Sequence, residues 1–187
     1  TSVNAIVQKT VNKDFIKKNY IKIHTGQKIQ FNNLIIRLVS LGYQRTSVVR
    51  DKTEFAIRGS IIDIFVVGQK NPIRIDFFDN NIESIYEFDR VTQKRIAKKT
   101  NENIYIYISN ELLINEDSLK LFRRKFRETF VNYRLSQIYH SFSDNIFPSG
   151  GEQFLPLFNE SLNTFFDYLN DSTIYLNAQF KELINQR

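Results

Sequence analysis

Residues 54–89 constrain the fold more than any other stretch. They read EFAIRGSIIDIFVVGQKNPIRIDFFDNNIESIYEFD. Ile61 to Val67 is apolar except for Asp63, the pattern of a strand covered on both faces. Ile73 to Phe78 alternates around Arg74 and Asp76, so one face of that strand is wet. Asp79, Asn80 and Asn81 tolerate a left-handed backbone and predict a tight hairpin. Ile82 to Phe88 is the returning strand, with Glu83 and Glu87 on one face and Ser84, Tyr86 and Phe88 on the other. Strands joined by such short turns need no crossover helix and pair antiparallel. The stretch is a β-meander with the Arg58-Gly59 pair at its centre.

Upstream, Leu34, Ile35, Leu38, Val39 and Leu41 recur at helical spacing, which predicts a helix over 32–41. Asn32 can cap its start, and Gly42 stands where a left-handed C-terminal cap belongs. Tyr43 to Val49 reads as a strand entering the meander. One helix lying on a small antiparallel sheet lets both bury their apolar faces, so the fold class is α+β (mixed α/β). The helix-plus-meander module spans 15–91.

The flanks carry weaker signals. Val3 to Gln8 reads as a short strand, Val11 to Lys18 as a polar connector, and Ile21 to Ile23 as an edge strand before a Gly26 turn. Residues 92–102 are charged and poor in large apolar side chains, which marks a domain boundary. Ile104 to Ile108 alternates Ile with Tyr, a strand. Asn115 or Asp117 can cap a second helix, whose apolar stripe is Leu119, Phe122, Phe126, Phe130 and Tyr133. Ser141 to Gln153 is a loop. Pro156 makes Phe154 to Phe158 an extended, docked segment. Thr164 to Leu169 suits one helical turn, Ser172 to Leu176 a strand, and Ala178 to Gln186 a terminal helix.

Composition excludes several chemistries. Apolar residues make up 42% of 187, enough for a core. The chain has no cysteine, which removes disulfides, thiolate zinc sites and a cysteine nucleophile. His24 and His140 are too few for a histidine-rich metal cluster. No phosphate-cradling GxxxxGK[ST] loop, GxGxxG or GxSxG occurs, so no catalytic residue, metal site or bound cofactor is expected and the chain is not read as an enzyme. No apolar run approaches the ~18 residues of a membrane span, and no signal peptide is recognisable. The chain contains no methionine, not even at its start, which suggests a fragment of a longer protein.

The net charge of +6 fits a nucleic-acid or acidic-protein partner, but the abundance of Lys, Asn, Ile, Phe and Tyr also suggests a general compositional bias. Arg123, Arg124, Lys125 and Arg127 lie opposite the apolar stripe of the second helix. They read either as a solvated face or as a salt-sensitive nucleic-acid contact. Asp63 and Asp76 sit inside apolar strands and need partners; Arg58 and Arg74 are candidates for a structural ion pair, against a hidden catalytic pair of carboxylates.

Arg58-Gly59 is a sharper signal. A glycine within strands often marks a bulge, which would aim Arg58 outward, and Arg45 could emerge on the same face. Two arginines on a rigid sheet edged by Phe55 and Phe65 make a docking patch for carboxylates, which the guanidinium fork binds through two parallel hydrogen bonds.

These residues carry a family resemblance. Gly42-Tyr43-Gln44-Arg45, Glu54 to Gly59, Ile62 to Phe65, Ile73 to Phe78, Ile82 to Ile85 and Phe88-Asp89 resemble a module shared by bacterial UvrB and the transcription-repair coupling factors (the Mfd family). GGEQFLPLF, Gly150 to Phe158, and Phe165 to Tyr168 resemble the Mfd family rather than UvrB. A UvrB fragment is the alternative. The resemblance implies that 15–91 is a UvrA-docking module inserted in a truncated UvrB-like α/β domain, of which 1–14 and 92–187 are parts. It implies a cytoplasmic bacterial protein whose whole chain is an ATP-dependent DNA translocase, using ATP and magnesium, and contacts RNA polymerase and DNA through other parts. The fragment itself is expected to be monomeric. By the same resemblance the UvrA-docking residues are Arg45 and Arg58, to which the reading of the sheet adds Gly59, Phe55 and Phe65. Ala56 stands where UvrB tends to have a further arginine. Ser60 and Val66 depart from the family's usual glycine or aspartate and proline.

Overall fold

Alternation in 54–89 produces the expected strands. β4 (Glu54–Arg58), β5 (Ile61–Ile64), β6 (Ile73–Phe78) and β7 (Asn81–Glu87) run antiparallel in sequence order. A two-residue strand β3 (Gln44–Arg45) adds in parallel to the outer side of β4, giving the order β3-β4-β5-β6-β7. The protein is seen here as a computed structural model that describes residues 8–96, 103–169, 173 and 175. It divides into two compact units: Ile16–Leu113, and Thr1–Phe15 with Ile114–Arg187.

In the first unit the β6–β7 hairpin turns at Asp79, whose φ is +55°. The register then shifts: Asp76 pairs with Ser84 but Phe77 with Ile82, so Glu83 is an extra residue. This bulge turns both Ile82 and Ile85 into the core, which strict alternation forbids. Under the sheet lies helix α2 (Phe31–Ser40), the next helix in the chain after the short α1 (Lys13–Lys18). Its Leu34 and Leu38 meet Phe55, Ile62, Ile64, Ile73, Ile75 and Phe77 in one cluster. Burying each such side chain contributes about 1.5–3 kcal/mol.

α2 starts one residue before Asn32, which therefore does not cap it; Gln30 holds that position without a side-chain cap bond. Gly42 ends the helix as expected, at φ +87°. The strand expected over 43–49 shortens to β3, with Tyr43 buried beside it.

Strand β2 (Tyr20–Ile23) pairs antiparallel with β8 (Ile104–Tyr107), and Ile21, Ile23, Ile104 and Ile106 join the same core. The unit thus runs on to Leu113 instead of closing at Val91. A charged linker looks like a boundary in sequence, but a strand beyond it can return to complete the core.

In the second unit β1 (Thr10–Val11) pairs with β9 (Leu162–Asn163). Residues Lys13–Lys18 form helix α1 where a connector was expected; Asn12 caps it, its Oδ1 accepting from the Phe15 amide at 2.7 Å. Helix α3 (Glu116–Thr129) opens on a capping box between Asn115 and Ser118. Its Phe122 packs with Phe142 of α4 (Gln137–Ser143) and Phe158 of α5 (Leu155–Phe158), the Phe122 and Phe158 rings stacking at 4.6 Å, while Phe126 meets Phe122 and Tyr139. FLPLF is helical, not extended. Pro156 sits in the first turn of α5, where a proline needs no amide partner and its fixed φ suits the helix. Phe165–Tyr168 form the expected helical turn, α6, capped by Thr164. The strands expected at 3–8 and 172–176 and the helix at 178–186 rest on residues outside those described. Among the described residues no helix is long and apolar enough to cross a membrane.

Candidate docking surface

The β4–β5 hairpin positions Arg58. Arg58 and Ile61 are paired, so Gly59 and Ser60 form a two-residue turn. Gly59 has φ +59° while Ser60 does not share the left-handed region, the pattern of a II′ hairpin turn. The expected bulge at Gly59 is therefore a turn. Glycine is needed there for its backbone angle alone, since an added Cβ would meet nothing within 4 Å. Arg58 is carried out to solvent at the mouth of this turn.

The two faces of the sheet differ. Phe55, Ile57, Ile62, Ile75 and Ile85 lie on the helix side. Ala56, Asp63, Arg74 and Tyr86 form a row across the other, flanked by Arg58, Ile61, Asp76 and Ser84. Asp63 is fully buried and takes both arms of the Arg74 fork, Nε to Oδ1 at 2.6 Å and the terminal amine to Oδ2 at 2.8 Å. The bond to Asp63 raises the Arg74 pKa and keeps it charged, and its guanidinium lies 4.9 Å from the Phe88 ring. The register chooses Arg74 over Arg58 as the partner: Asp63 pairs directly with Arg74 across the β5–β6 ladder. Asp76 accepts from the Ser84 hydroxyl at 2.7 Å. Both carboxylates thus have structural partners.

Arg45 emerges elsewhere than expected. It pairs with Phe55, which faces the helix, whereas Arg58 has the opposite parity. The two arginines flank the β3–β4 edge from opposite faces, within the ~13 Å length of β4. Phe55 and Phe65 do not edge a patch. Phe55 is fully buried in the helix-side core, and Phe65 is buried with Val49, Ala56 and Phe88 on the reverse face. They support the edge from its two opposite faces.

The arginines separate into two classes. Arg74 binds Asp63, Arg90 pairs with Asp51, Arg95 covers Tyr86, and Arg37 bonds to the Tyr20 carbonyl. Arg123 bonds to Ser143, Arg124 to Glu160, Arg127 to the Arg123 carbonyl, and Arg134 to Tyr133. Among the described residues only Arg45, Arg50 and Arg58 hold no such partner. Arg50 escaped the sequence reading because VVRDK carries no local signal. Its loop is rigidly held: the Arg50 and Asp51 amides both donate to Glu54 Oε2, at 2.8 and 2.9 Å. Among the described residues no group of three or more His, Cys, Asp or Glu is placed to hold a metal.

Residues 21–110, which contain the whole of this sheet, match the family model described as the UvrB interaction domain. A UvrB interaction domain is thus the class of module that this sheet and its helix define. Along nearly all of its length the chain also resembles transcription-repair-coupling factors. It is 29% identical to that of Haemophilus influenzae over 99% of the chain, 31% to that of Escherichia coli over 94%, and 35% to that of Rickettsia typhi over 96%. It spans only 16%, 15% and 16% of those proteins. The chain belongs to the transcription-repair-coupling factor family, in its N-terminal UvrB-like region.

Proposed function

We propose that this chain is the UvrA-docking segment of a transcription-repair-coupling factor. In that reading it recruits UvrA to stalled RNA polymerase for nucleotide excision repair in the bacterial cytoplasm. The whole protein is then an ATP-dependent DNA translocase that contacts DNA and RNA polymerase, and binds ATP and magnesium, through other parts. The single observation that carries the docking site is the placement of the free arginines. Three guanidinium forks without an internal partner border β3 and β4 in the UvrB interaction domain, while every other described arginine is occupied. Arg58 and Arg45 grip carboxylates of the partner from the two sides of the sheet edge, and Gly59 sets the angle of the turn that presents Arg58.

The basic side of α3 favours the structural reading. Arg123, Arg124 and Lys125 tie the helix to Ser143, Glu160 and the Asn159 carbonyl.

The test is a titration of the chain against purified UvrA, wild type beside Arg58→Ala. The variant should keep its circular dichroism spectrum and lose about 1–3 kcal/mol of binding, as an interfacial anchor does. Equal affinity in both proteins removes Arg58 from the interface.

A further inference from the structure

The β2–β8 ribbon presents a face that docking does not use. Tyr20 pairs with Tyr107 and Lys22 with Tyr105. Alternation puts these four side chains on one face and the buried isoleucines on the other. Tyr105 and Tyr107 are 39% and 41% exposed. The three rings are contiguous: Tyr105 and Tyr107 are near parallel, 17° apart at 6.3 Å, and Tyr20 leans against them, 5.8 and 6.1 Å away and tilted by 47° and 44°. Lys22 Nζ stands 5.9 Å from the Tyr105 ring centroid, and the Arg37 guanidinium reaches the Tyr20 carbonyl at 3.1 Å. Neither strand contains a carboxylate.

The isoleucine face alone anchors this ribbon to the core, so the tyrosine face is free to differ in chemistry. Half-exposed rings set beside the Lys22 ammonium, with no acidic residue on either strand, suit a ligand that is both planar and anionic. Nucleobases stack on such rings with little regard to sequence, and phosphates are drawn to the neighbouring cation. A proline-rich peptide would use the rings and leave the cation idle. We infer that the β2–β8 face binds single-stranded nucleic acid, with bases stacked on Tyr20, Tyr105 and Tyr107 and a phosphate drawn to Lys22. This site stands apart from UvrA docking and does not depend on it.

The experiment titrates the whole chain with oligothymidylate, oligouridylate and a duplex of equal length at low salt. It reads anisotropy of the labelled strand and quenching of tyrosine fluorescence, which the absence of tryptophan leaves unobscured. Single strands should bind and quench, with the duplex weaker; comparing the two single strands separates DNA from RNA preference. Tyr105→Leu/Tyr107→Leu should weaken binding about tenfold. Tyr105→Phe/Tyr107→Phe should retain it, because stacking needs the ring and not the hydroxyl. Lys22→Gln should weaken it and flatten the salt dependence. Arg58→Ala should leave it unchanged. No binding by the wild type, a duplex bound as tightly as the single strands, or loss in the phenylalanine variant overturns the inference. Should the leucine variant misfold by circular dichroism, the phenylalanine and Lys22 variants still decide the matter.

Discussion

Helix α3 and the β3–β4 edge are both rich in cations, and they use them in opposite ways. Arg123, Arg124 and Lys125 bond to Ser143, Glu160 and Asn159, so the charges of α3 hold the fold together around an aromatic core. Arg45, Arg50 and Arg58 have no comparable partner among the described residues. Local sequence gives the reverse impression: RRKFR is the denser basic cluster. Charge density says little about recognition until it is known which forks are already filled.

The largest test of that contrast removes the partner of a filled fork. Asp63→Ala strands the Arg74 charge in a mostly buried setting, and chemical denaturation should show a loss of about 3–5 kcal/mol. A loss below 1 kcal/mol would mean that water reaches Arg74 and that the pair is not structural. Backbone geometry comes next. Gly59→Ala should lose about 1–2 kcal/mol from its left-handed φ alone, since its Cβ has room. Gly42→Ala should lose more, because its φ is also left-handed and its Cβ would come within 2.5 Å of Ser109 Oγ. Equal losses would show that the Ser109 side chain moves aside without cost. Among the cations, Arg123→Ala should lose about 1 kcal/mol of stability with its bonds to Ser143. Arg58→Ala should change stability by no more than about 0.5 kcal/mol while weakening docking. Finding the two variants equally destabilised would erase the distinction between filled and free forks.

The smallest effect is one of pH. Burial raises the Tyr43 pKa above the ordinary 10.0, partly offset by the Val67 amide, which donates to the phenol oxygen. The folded phenol stays neutral where the unfolded one ionises. Its contribution is therefore complete below pH 10.0 and declines as pH rises above that value. Thermal unfolding between pH ~9 and ~11 should fall more steeply for wild type than for Tyr43→Phe. Parallel curves would place the origin of alkaline loss elsewhere.

The meander, helix α2, its Gly42 cap and the Asn115 cap of α3 were legible because each rests on neighbours in the chain: period-two alternation, helical spacing, a glycine at φ +87°, a side chain reaching its own helix. Arg58 and Arg45 were legible as candidates through the resemblance of their flanking motifs. Their arrangement was not. Which face each arginine takes depends on how β3 registers against β4, and a shift of one residue would exchange the faces. The same holds for Phe55 and Phe65: an aromatic side chain in a strand looks alike in sequence whether it meets solvent or a helix.

Sequence alone determined the antiparallel strands of the meander, the Asp79 hairpin and the amphipathic helices α2 and α3, because hydrogen bonds and side-chain periodicity within a few residues decide them. Only tertiary structure decided that residues 104–107 return to residues 20–23, that Asp63 takes Arg74, and that α3 spends its cations internally. Those outcomes depend on contacts between residues far apart in the chain, where burial of a shared core selects one pairing among many that local chemistry would allow.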